Sequence, residues 1–428
     1  MRLYDTYTRG KQELPDAPGP IRMYFCGPTV YARAHIGNAR PFVIGMWIRR
    51  WLAERGYDAT LVHNITDIND KIYDAAPGAS AELAERATQW YLEDIADFGL
   101  GMPDHLPKAT EFVPEIVAFI DALIAADHAY PADGDVYFRV GSFADYGRLS
   151  GQRPDQVEEQ EPNPRKEDPR DFALWKANKP GEDTWWDSPW GRGRPGWHIE
   201  CSAMSEELLG ETFEIHGGGL DLVFPHHENE VAQSRALGHG FAQIWTHNGM
   251  LEFVGEKMSK SLGNVVSMRE ALDTWGRETL LVYFLSAHWR KPMDFSDETV
   301  AQAAARCETL RNAFTLDEAA HDESQWETLV EALEDDFDTP RALAVLHEWG
   351  SRRQLDLLRR GLAIFGLESL AEREQAPPEV VGLAEQRLSA RRERDFAAAD
   401  RLRDELGALG WELRDEPGGG YTLVRRAG

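Results

Sequence analysis

The chain of 428 residues is too long for one compact core, and its length predicts about two to four domains. Because 46 Lys and Arg face 73 Asp and Glu, the formal charge of −27 argues against a protein that coats nucleic acid or membranes non-specifically. Its three cysteines are too far apart to indicate a disulfide framework, and no apolar stretch reaches membrane-spanning length, so we expect a cytoplasmic protein.

The first clear elements are a strand, a turn and a helix. Residues 21–25 alternate with the period of a strand, and apolar residues recur at helical spacing over 43–52. Ligands of open α/β sheets bind at the carboxyl ends of strands, where a helix N-terminus offers N–H groups to phosphate. The turn carries His35, Gly37 and Asn38 and is therefore a candidate nucleotide triphosphate site, although a plain α/β crossover would look the same.

A second strand is expected at 59–65, and the polar run 64–71 lies at its carboxyl end. By the same rule these polar groups face the same pocket, although one or two of them would also serve as caps for the next helix. Amphipathic helices are expected at 81–99 and 111–128.

The composition changes to Gly, Pro and charged residues over about 133–195, which indicates an insertion into the alternation of strands and helices. We expect the tryptophans of 185–190 to be core residues. Beyond the insertion, 213–221 is predicted as a strand that ends in a glycine turn, and the next helix has His226 near its start.

The remainder of the chain reads as helical, with helices expected at 297–313, 325–336, 340–365 and 379–408, and a small β element at 411–426. The last helix carries a row of arginines. They form either a solvated face, paired with neighbouring acidic residues, or an RNA contact.

One set of candidate ligands lies on three distant segments. Cys26 ends a strand, Cys201 precedes a helix, and His226 and Glu230 share one helix face at spacing i, i+4. Two thiolates, an imidazole and a carboxylate are suitable ligands for Zn²⁺. The alternative for any single cysteine is a small buried hydrophobic residue, which we expect for Cys307.

A second set combines His35 and Asn38 with Lys257 and Lys260, which lie on a glycine-hinged polar loop. Two lysines on such a loop can stabilise charge on a leaving pyrophosphate. A Lys/Ser loop alone is most often surface, so the value of this set depends on its pairing with the His35 turn.

Six stretches carry a family resemblance, namely 26–30, 35–38, 64–67, 193–204, 224–230 and 257–261. The second (His-Ile-Gly-Asn) and the last (Lys-Met-Ser-Lys-Ser) resemble the two signatures of class I aminoacyl-tRNA synthetases. All six together resemble the cysteinyl-tRNA synthetase family over nearly the whole chain. The resemblance implies an α/β fold with a Rossmann-type parallel-sheet catalytic domain.

The resemblance also implies a domain order. The catalytic domain occupies 1–110 and 196–252, split by a connective insertion at 111–195. The expected remainder is a signature loop and stem-contact region at 253–296, a helical anticodon-binding bundle at 297–376 and a small C-terminal tRNA-binding domain at 377–428.

The implied activity joins L-cysteine to tRNA(Cys) with ATP, through a cysteinyl-adenylate. The resemblance also implies a monomer that does not bind a membrane. One Zn²⁺ per chain, held by the four ligands above, would select the substrate thiolate, and Mg²⁺ would accompany ATP. The implied cysteine-binding residues are Gly27, Thr29, Thr66, Trp197 and His216. The implied ATP-binding residues are Gly37, Gly218, Asp221 and Lys260.

Two other functions stay open. A related ligase forms the same adenylate but joins cysteine to an amino sugar, and it would not need the anticodon-binding module that 300–428 resembles. A non-catalytic RNA-binding relative would not need both signatures intact.

Overall fold

A computed structural model describes residues 1–153, 162–253, 256–257, 265–315, 321–372, 376–415 and 420–425. The chain divides into two compact units. The first comprises Met1–Thr274, His288–Phe295 and Leu333–Asp338, and the second comprises Trp275–Ala287, Ser296–Ala332 and Thr339–Gly428. Within the described part of the chain, none of the helices combines the length and apolar composition that a membrane crossing requires.

The centre of the first unit is a parallel sheet of four strands in the order β10-β9-β3-β4. Its strands are β3 (Pro20–Phe25), β4 (Asp58–His63), β9 (Thr212–Gly219) and β10 (Phe241–Asn248). Phe25 pairs with His63 on one side and Gly217 on the other, so the carboxyl ends of three strands meet at one edge. This parallel sheet confirms the predicted α/β fold.

The helix α1 (Ala39–Glu54) follows β3, as the sequence predicts. Its side chains Trp47, Ile48 and Trp51 are fully buried. Each such burial stabilises the fold by roughly 2–3 kcal/mol relative to an exposed position. This packing holds the turn between β3 and α1 against the sheet.

Several further elements complete the first unit. They are β1 (Arg2–Asp5), β2 (Gly10–Glu13), α2 (Asp70–Ala75), α3 (Ser80–Ala96), α5 (Trp197–Leu209), α6 (Glu228–Ala236), β11 (Leu251–Phe253), β12 (Glu256–Lys257), α7 (Met268–Trp275, the last residue of which belongs to the second unit) and β13 (Met293–Asp294). The strands β1 and β2 pair in antiparallel fashion, and β11 lies between β12 and β13.

The predicted insertion has its own small sheet. It contains α4 (Val113–Ala125) and an antiparallel sheet of β5 (Ala129–Ala132), β6 (Asp135–Phe138), β7 (Phe172–Ala177) and β8 (Gly193–Pro195). The prediction of a core position is wrong for Trp185, which is 38% exposed and has the Arg192 guanidinium 4.1 Å from its ring centroid. The favourable contact between the guanidinium and the face of the indole offsets part of the free-energy cost of exposing this side chain to water.

The glycine segment at the end of β9 differs from the prediction. Instead of forming a turn, Gly217–Gly219 continue the strand and pair with Thr246–Asn248 of β10. A Cβ on Gly217 would lie 2.4 Å from the ring of Phe25. Glycine is required there by close packing against Phe25 and not by a turn.

The second unit is helical and ends in a β hairpin. Its elements are α8 (Arg277–Leu285), α9 (Asp297–Ala313), α10 (Trp326–Glu334, the last two residues of which belong to the first unit), α11 (Thr339–Ser351), α12 (Leu355–Ile364), α13 (Pro378–Arg392), α14 (Phe396–Ala408), β14 (Trp411–Asp415) and β15 (Tyr421–Arg425). The two longest predicted helices are each divided. The divisions lie at Arg353 and Arg394, whose φ angles of 58° and 63° are left-handed and end the preceding helix.

Candidate metal centre and nucleotide cavity

The structure brings the four predicted metal ligands together at the carboxyl edge of the sheet. Cys26 directly follows β3, and Glu230 lies in α6. His226 lies in the short kinked segment Val223–His227 before α6. Cys201 lies inside α5, whereas the sequence predicted it before the helix. All four side chains are buried, and their donor atoms lie within 4.8 Å of one another. Segments that are distant in sequence therefore form one cluster that can hold a metal ion.

The distances within this cluster suit a shared cation. Cys26 Sγ lies 3.9 Å from Cys201 Sγ and 3.9 Å from Glu230 Oε1. His226 Nε2 lies 3.1 Å from the same Glu230 oxygen. Two sulfurs, an imidazole nitrogen and a carboxylate oxygen form a donor set that Zn²⁺ accepts.

Burial controls the charge of these donors. It raises the pKa of the Cys26 thiol and the Glu230 carboxyl well above their ordinary values, and it raises the pKa of Cys201 as well. Burial lowers the pKa of His226 far below its ordinary value, which keeps the imidazole neutral and able to bind a metal. A divalent cation among these groups would favour the deprotonated thiols and carboxylate.

Two further histidines orient the ligands. His198 Nδ1 lies 2.9 Å from His226 Nδ1, and His216 Nε2 lies 2.7 Å from Glu230 Oε2. Burial lowers the pKa of both His198 and His216 to about 3, so both rings stay neutral hydrogen-bonding groups at physiological pH. Such partners fix the tautomer and direction of a metal ligand. Sequence reasoning did not identify His198 in this role, although it lies in the quoted stretch 193–204.

A second donor set overlaps the first. Cys26, His216, His227 and Glu230 also have donor atoms within 4.8 Å of one another. His227 Nε2 lies 3.3 Å from Cys26 Sγ, and its Nδ1 lies 2.7 Å from His247 Nε2. The two sets share Cys26 and Glu230, so they cannot each hold an ion independently. Sequence reasoning did not single out His227 or His247.

The segment after Cys26 packs closely against the chain that follows β4. The amide of Gly27 donates to Asn64 Oδ1 at 3.0 Å, and a Cβ on Gly27 would lie 1.7 Å from the Asn64 carbonyl oxygen. Thr29 and Thr66 form an isolated parallel bridge beside this contact. Only glycine fits at position 27, and it lets the two segments meet next to the metal cluster.

One cavity extends from Cys26, a member of the metal cluster, to the turn before α1. Its walls include members of all the predicted sets. They are the metal ligand Cys26, the cysteine-binding candidates Gly27, Thr29 and Trp197, the ATP-binding candidates Gly37 and Asp221, and the catalytic candidates His35 and Asn38. Thr66 and His216 are buried and do not line this cavity; His216 reaches the cluster through Glu230. Gly218 is also absent from the lining, and a Cβ there would lie 3.0 Å from the His227 ring.

The turn before α1 is a short 3₁₀ helix, Ile36–Asn38. The amide of His35 donates to Asn38 Oδ1 at 3.2 Å, and the amide of Asn38 donates to the His35 carbonyl at 2.8 Å. A Cβ on Gly37 would lie 2.9 Å from the His35 ring. The turn therefore has a fixed shape, and it places the amino end of α1 at the cavity.

The second signature lies mostly outside the described residues. The backbone of Lys257 forms part of β12 and pairs with Glu252. Its side chain and the whole of Lys260 lie outside the described part, so both remain expectations from the sequence.

Two family models match the chain. The class I (C) catalytic domain of tRNA synthetases matches residues 13–305, and the cysteinyl-tRNA ligase anticodon-binding domain matches residues 373–422. Both matches agree with the resemblance seen in the sequence.

Relatives match over nearly the full length. A cysteine–tRNA ligase of Pseudothermotoga lettingae is 42% identical, with 99% of this chain and 100% of the relative covered. One of Methylobacillus flagellatus is 44% identical, with 100% of each chain covered. Among solved structures, the Mycobacterium tuberculosis methionyl-tRNA synthetase in complex with methionyl-adenylate superposes with a TM-score of 0.60 at 16% identity, covering 89% of this chain and 96% of that chain. This last match supports the fold alone.

Proposed function

The chain belongs to the cysteine–tRNA ligase family of class I aminoacyl-tRNA synthetases and is an enzyme; on this premise we propose that it activates L-cysteine with ATP and transfers it to tRNA(Cys). The observation that carries the proposal is that Cys26, one ligand of the buried two-cysteine cluster, lines the same cavity as the His35 turn. An enzyme that joins a sulfur-containing amino acid to a nucleotide needs both sites within reach of one substrate.

We assign the metal ligands to Cys26, Cys201, His226 and Glu230, with one Zn²⁺ per chain. When bound there, Zn²⁺ would supply a soft position for the substrate thiolate, a bond that the hydroxyl of serine cannot match. His198 and His216 would hold His226 and Glu230 in place. We prefer the set with both cysteines to the overlapping set. In a site that would bind a sulfur-containing substrate, a second thiolate is a better ligand for Zn²⁺ than a further imidazole.

The remaining cysteine-binding residues act by shape and position. Trp197 lines the cavity and stacks on His226, which supports its assignment to a wall of the amino-acid pocket. Thr29 lines the cavity, whereas Thr66 lies behind it on the paired segment. Gly27 allows the close approach that brings these segments together. In this proposal they orient the substrate so that its carboxylate points towards ATP.

The nucleotide would lie along the His35 turn. His35 and Asn38 would donate to the phosphates from their side chains, and the amino end of α1 adds a positive dipole end. The amides of Ile36, Asn38 and Ala39 already donate to carbonyls of the chain. Gly37, Gly218 and Asp221 complete the ATP assignment, of which Gly37 and Asp221 line the cavity. Lys257 and Lys260 would stabilise the leaving pyrophosphate, and Mg²⁺ would accompany ATP.

Two steps follow from this arrangement. The cysteine carboxylate attacks the α-phosphate in line, which gives cysteinyl-adenylate and pyrophosphate. The terminal ribose hydroxyl of the tRNA then takes the acyl group and releases AMP. Neither step requires a protein nucleophile, so the chain acts by positioning and by charge stabilisation. We further propose that the enzyme is a cytoplasmic monomer.

The competing amino-sugar ligase is less well supported, because the cysteinyl-tRNA ligase anticodon-binding model matches residues 373–422. Intact His35 and Asn38 at the cavity speak against a non-catalytic RNA-binding relative.

Exchange of pyrophosphate into ATP tests the first step. We expect exchange that depends on cysteine, with serine as the matched control that gives almost none. Acylation of tRNA(Cys) and of a glucosaminyl inositol should then be compared with the same preparation. Acylation of the sugar alone would overturn the choice of acceptor, and absence of exchange with zinc present would overturn the proposed activity.

A further inference from the structure

A buried carboxylate outside the proposed chemistry lies near the nucleotide turn. Asp94 in α3 is fully buried, and two arginines approach its side chain. Arg33 Nε lies 3.3 Å from Asp94 Oδ2, and Arg269 Nη2 lies 2.9 Å from Asp94 Oδ1. Arg269 also donates from Nε to the same oxygen at 2.9 Å. Because an unpaired buried charge is costly, this carboxylate depends on its two partners.

The two arginines flank a pair of segments that are joined through their backbones. The amide of Ile36 donates to the Val266 carbonyl at 3.0 Å, and the amide of Met268 donates to the Ala34 carbonyl at 2.8 Å. The residue between these two hydrogen bonds is His35, which forms an antiparallel bridge with the segment 266–268. The position of His35 is therefore set by this short ladder.

The buried contact is distinct from the other contacts of the two arginines. Arg269 also pairs with Asp97 and Asp273, whose side chains are 55% and 64% exposed, so these pairs contribute little. The Arg33 guanidinium lies 5.6 Å from the centroid of the Trp90 ring. Asp94 is thus the buried group that holds both arginines, and through them both segments, to α3.

We propose that Asp94 is a positioning residue for ATP activation: through Arg33 and Arg269 it fixes the paired segments that determine where His35 stands at the cavity. The inference rests on the proposed function, since it takes His35 as a contact of ATP. The cysteine side has separate supports, because Trp197 and Cys201 lie in α5 and Cys26 directly follows β3, seven residues before Arg33. Loss of the Asp94 contacts should therefore impair the nucleotide step selectively.

The test uses Asp94→Asn in the full chain. Asparagine keeps the size of the side chain and removes its charge, and both arginines are partly exposed, so they can turn to water and the variant should fold. In cysteine-dependent pyrophosphate exchange we expect kcat to fall by about 10- to 100-fold, the loss that a small misplacement of a reacting group causes. The KM for cysteine and the amount of bound zinc should not change.

A double-mutant cycle tests whether Asp94 acts through Arg269. If it does, Arg269→Met and Asp94→Asn each lower kcat, and the double variant is little worse than either. Arg269→Lys should recover part of the rate that Arg269→Met loses. The matched control is Arg49→Met, which removes another arginine–aspartate pair, with Arg49 Nη2 2.6 Å from Asp104 Oδ1, and should leave kcat unchanged.

The inference is overturned if Asp94→Asn retains the kcat of the parent chain, whether or not its melting temperature falls. It is also overturned if only the KM for cysteine rises. Failure of the proposed function would give a different result, because the unsubstituted chain itself would then show no cysteine-dependent pyrophosphate exchange.

Discussion

The indole of Trp197 stacks on the imidazole of His226, with ring centroids 4.3 Å apart and ring planes inclined by 25°. Trp197 lines the cavity, whereas His226 is buried and belongs to the metal cluster. The stack therefore links the wall that a substrate would touch to a ligand that a metal would bind. Replacement of Trp197 should therefore affect the metal ligand, and replacement of His226 should affect the cavity wall.

Replacement of Trp197 tests this link. Trp197→Ala removes a stack that is worth about 0.5–1.5 kcal/mol, so the KM for cysteine in pyrophosphate exchange should rise by about 2- to 10-fold. Trp197→Phe is the matched control, since it keeps an aromatic face against His226 and should stay near the parent value. The KM for ATP should not change in either variant. Equal effects of the two substitutions would contradict a role for the stack.

Replacement of Cys201 tests the ligand assignment. Cys201→Ser removes one sulfur donor from the cluster, and the affinity for zinc should fall by at least about tenfold. Substitution of a residue that only hydrogen-bonds to a metal ligand already lowers metal affinity by about tenfold, so loss of a ligand should cost no less. The measurement is metal content after dialysis. Cys307→Ser is the matched control: Cys307 is also buried, but its Sγ contacts the Glu278 carbonyl at 3.3 Å in the helical unit. Unchanged zinc in Cys201→Ser would remove Cys201 from the ligand set.

The sequence was sufficient to predict the cluster because each of its members stands at a strand end or at the start of a helix. Cys26 follows β3, and His226 precedes Glu230 by one helical turn. The histidines around them were not predictable in the same way. The contact of His227 with His247 joins the segment before α6 to the end of β10, and no spacing along the chain encodes it.

The fold shows the same limit. Period-two and helical patterns were enough for β3, α1 and most of the helices. The division of the helices at Arg353 and Arg394 was not predicted, because both residues have a left-handed backbone. That conformation is usually adopted by glycine or asparagine, so arginine gives no indication of it. Gly217 was interpreted as a turn because its real partner, the Phe25 ring, lies on another strand.

Acid should destabilise the chain through His63. This side chain is buried, its Nδ1 lies 2.9 Å from the Phe25 carbonyl, and the Tyr91 hydroxyl lies 2.6 Å from its Nε2. Burial lowers the pKa of His63 from 6.5 to about 4. Since the unfolded chain takes up this proton first, the stabilisation is complete above about pH 6.5 and is lost as the pH falls towards 4.

The size of this effect follows from the shift. The contribution of His63 to the free energy of unfolding should fall by about 3 kcal/mol between these limits. His63→Gln cannot take up the proton, so urea unfolding at several pH values should show a shallower loss in that variant. His321→Gln, at a side chain that is 47% exposed, is the control and should keep the parent profile. A parallel profile in His63→Gln would contradict the assignment of the proton to His63.

Gly27 should tolerate no side chain. The Cβ of Gly27→Ala would meet the Asn64 carbonyl oxygen at 1.7 Å, and since that oxygen belongs to the backbone, the segment after β4 must move. We expect a loss of about 1–3 kcal/mol in the free energy of unfolding, as overpacking usually causes, together with a higher KM for cysteine. Gly141→Ala is the matched control because no atom lies within 4 Å of its Cβ, and it should leave both quantities unchanged. If Gly27→Ala matched this control in urea unfolding and in pyrophosphate exchange, the close approach of Gly27 to Asn64 would not determine the geometry of the site.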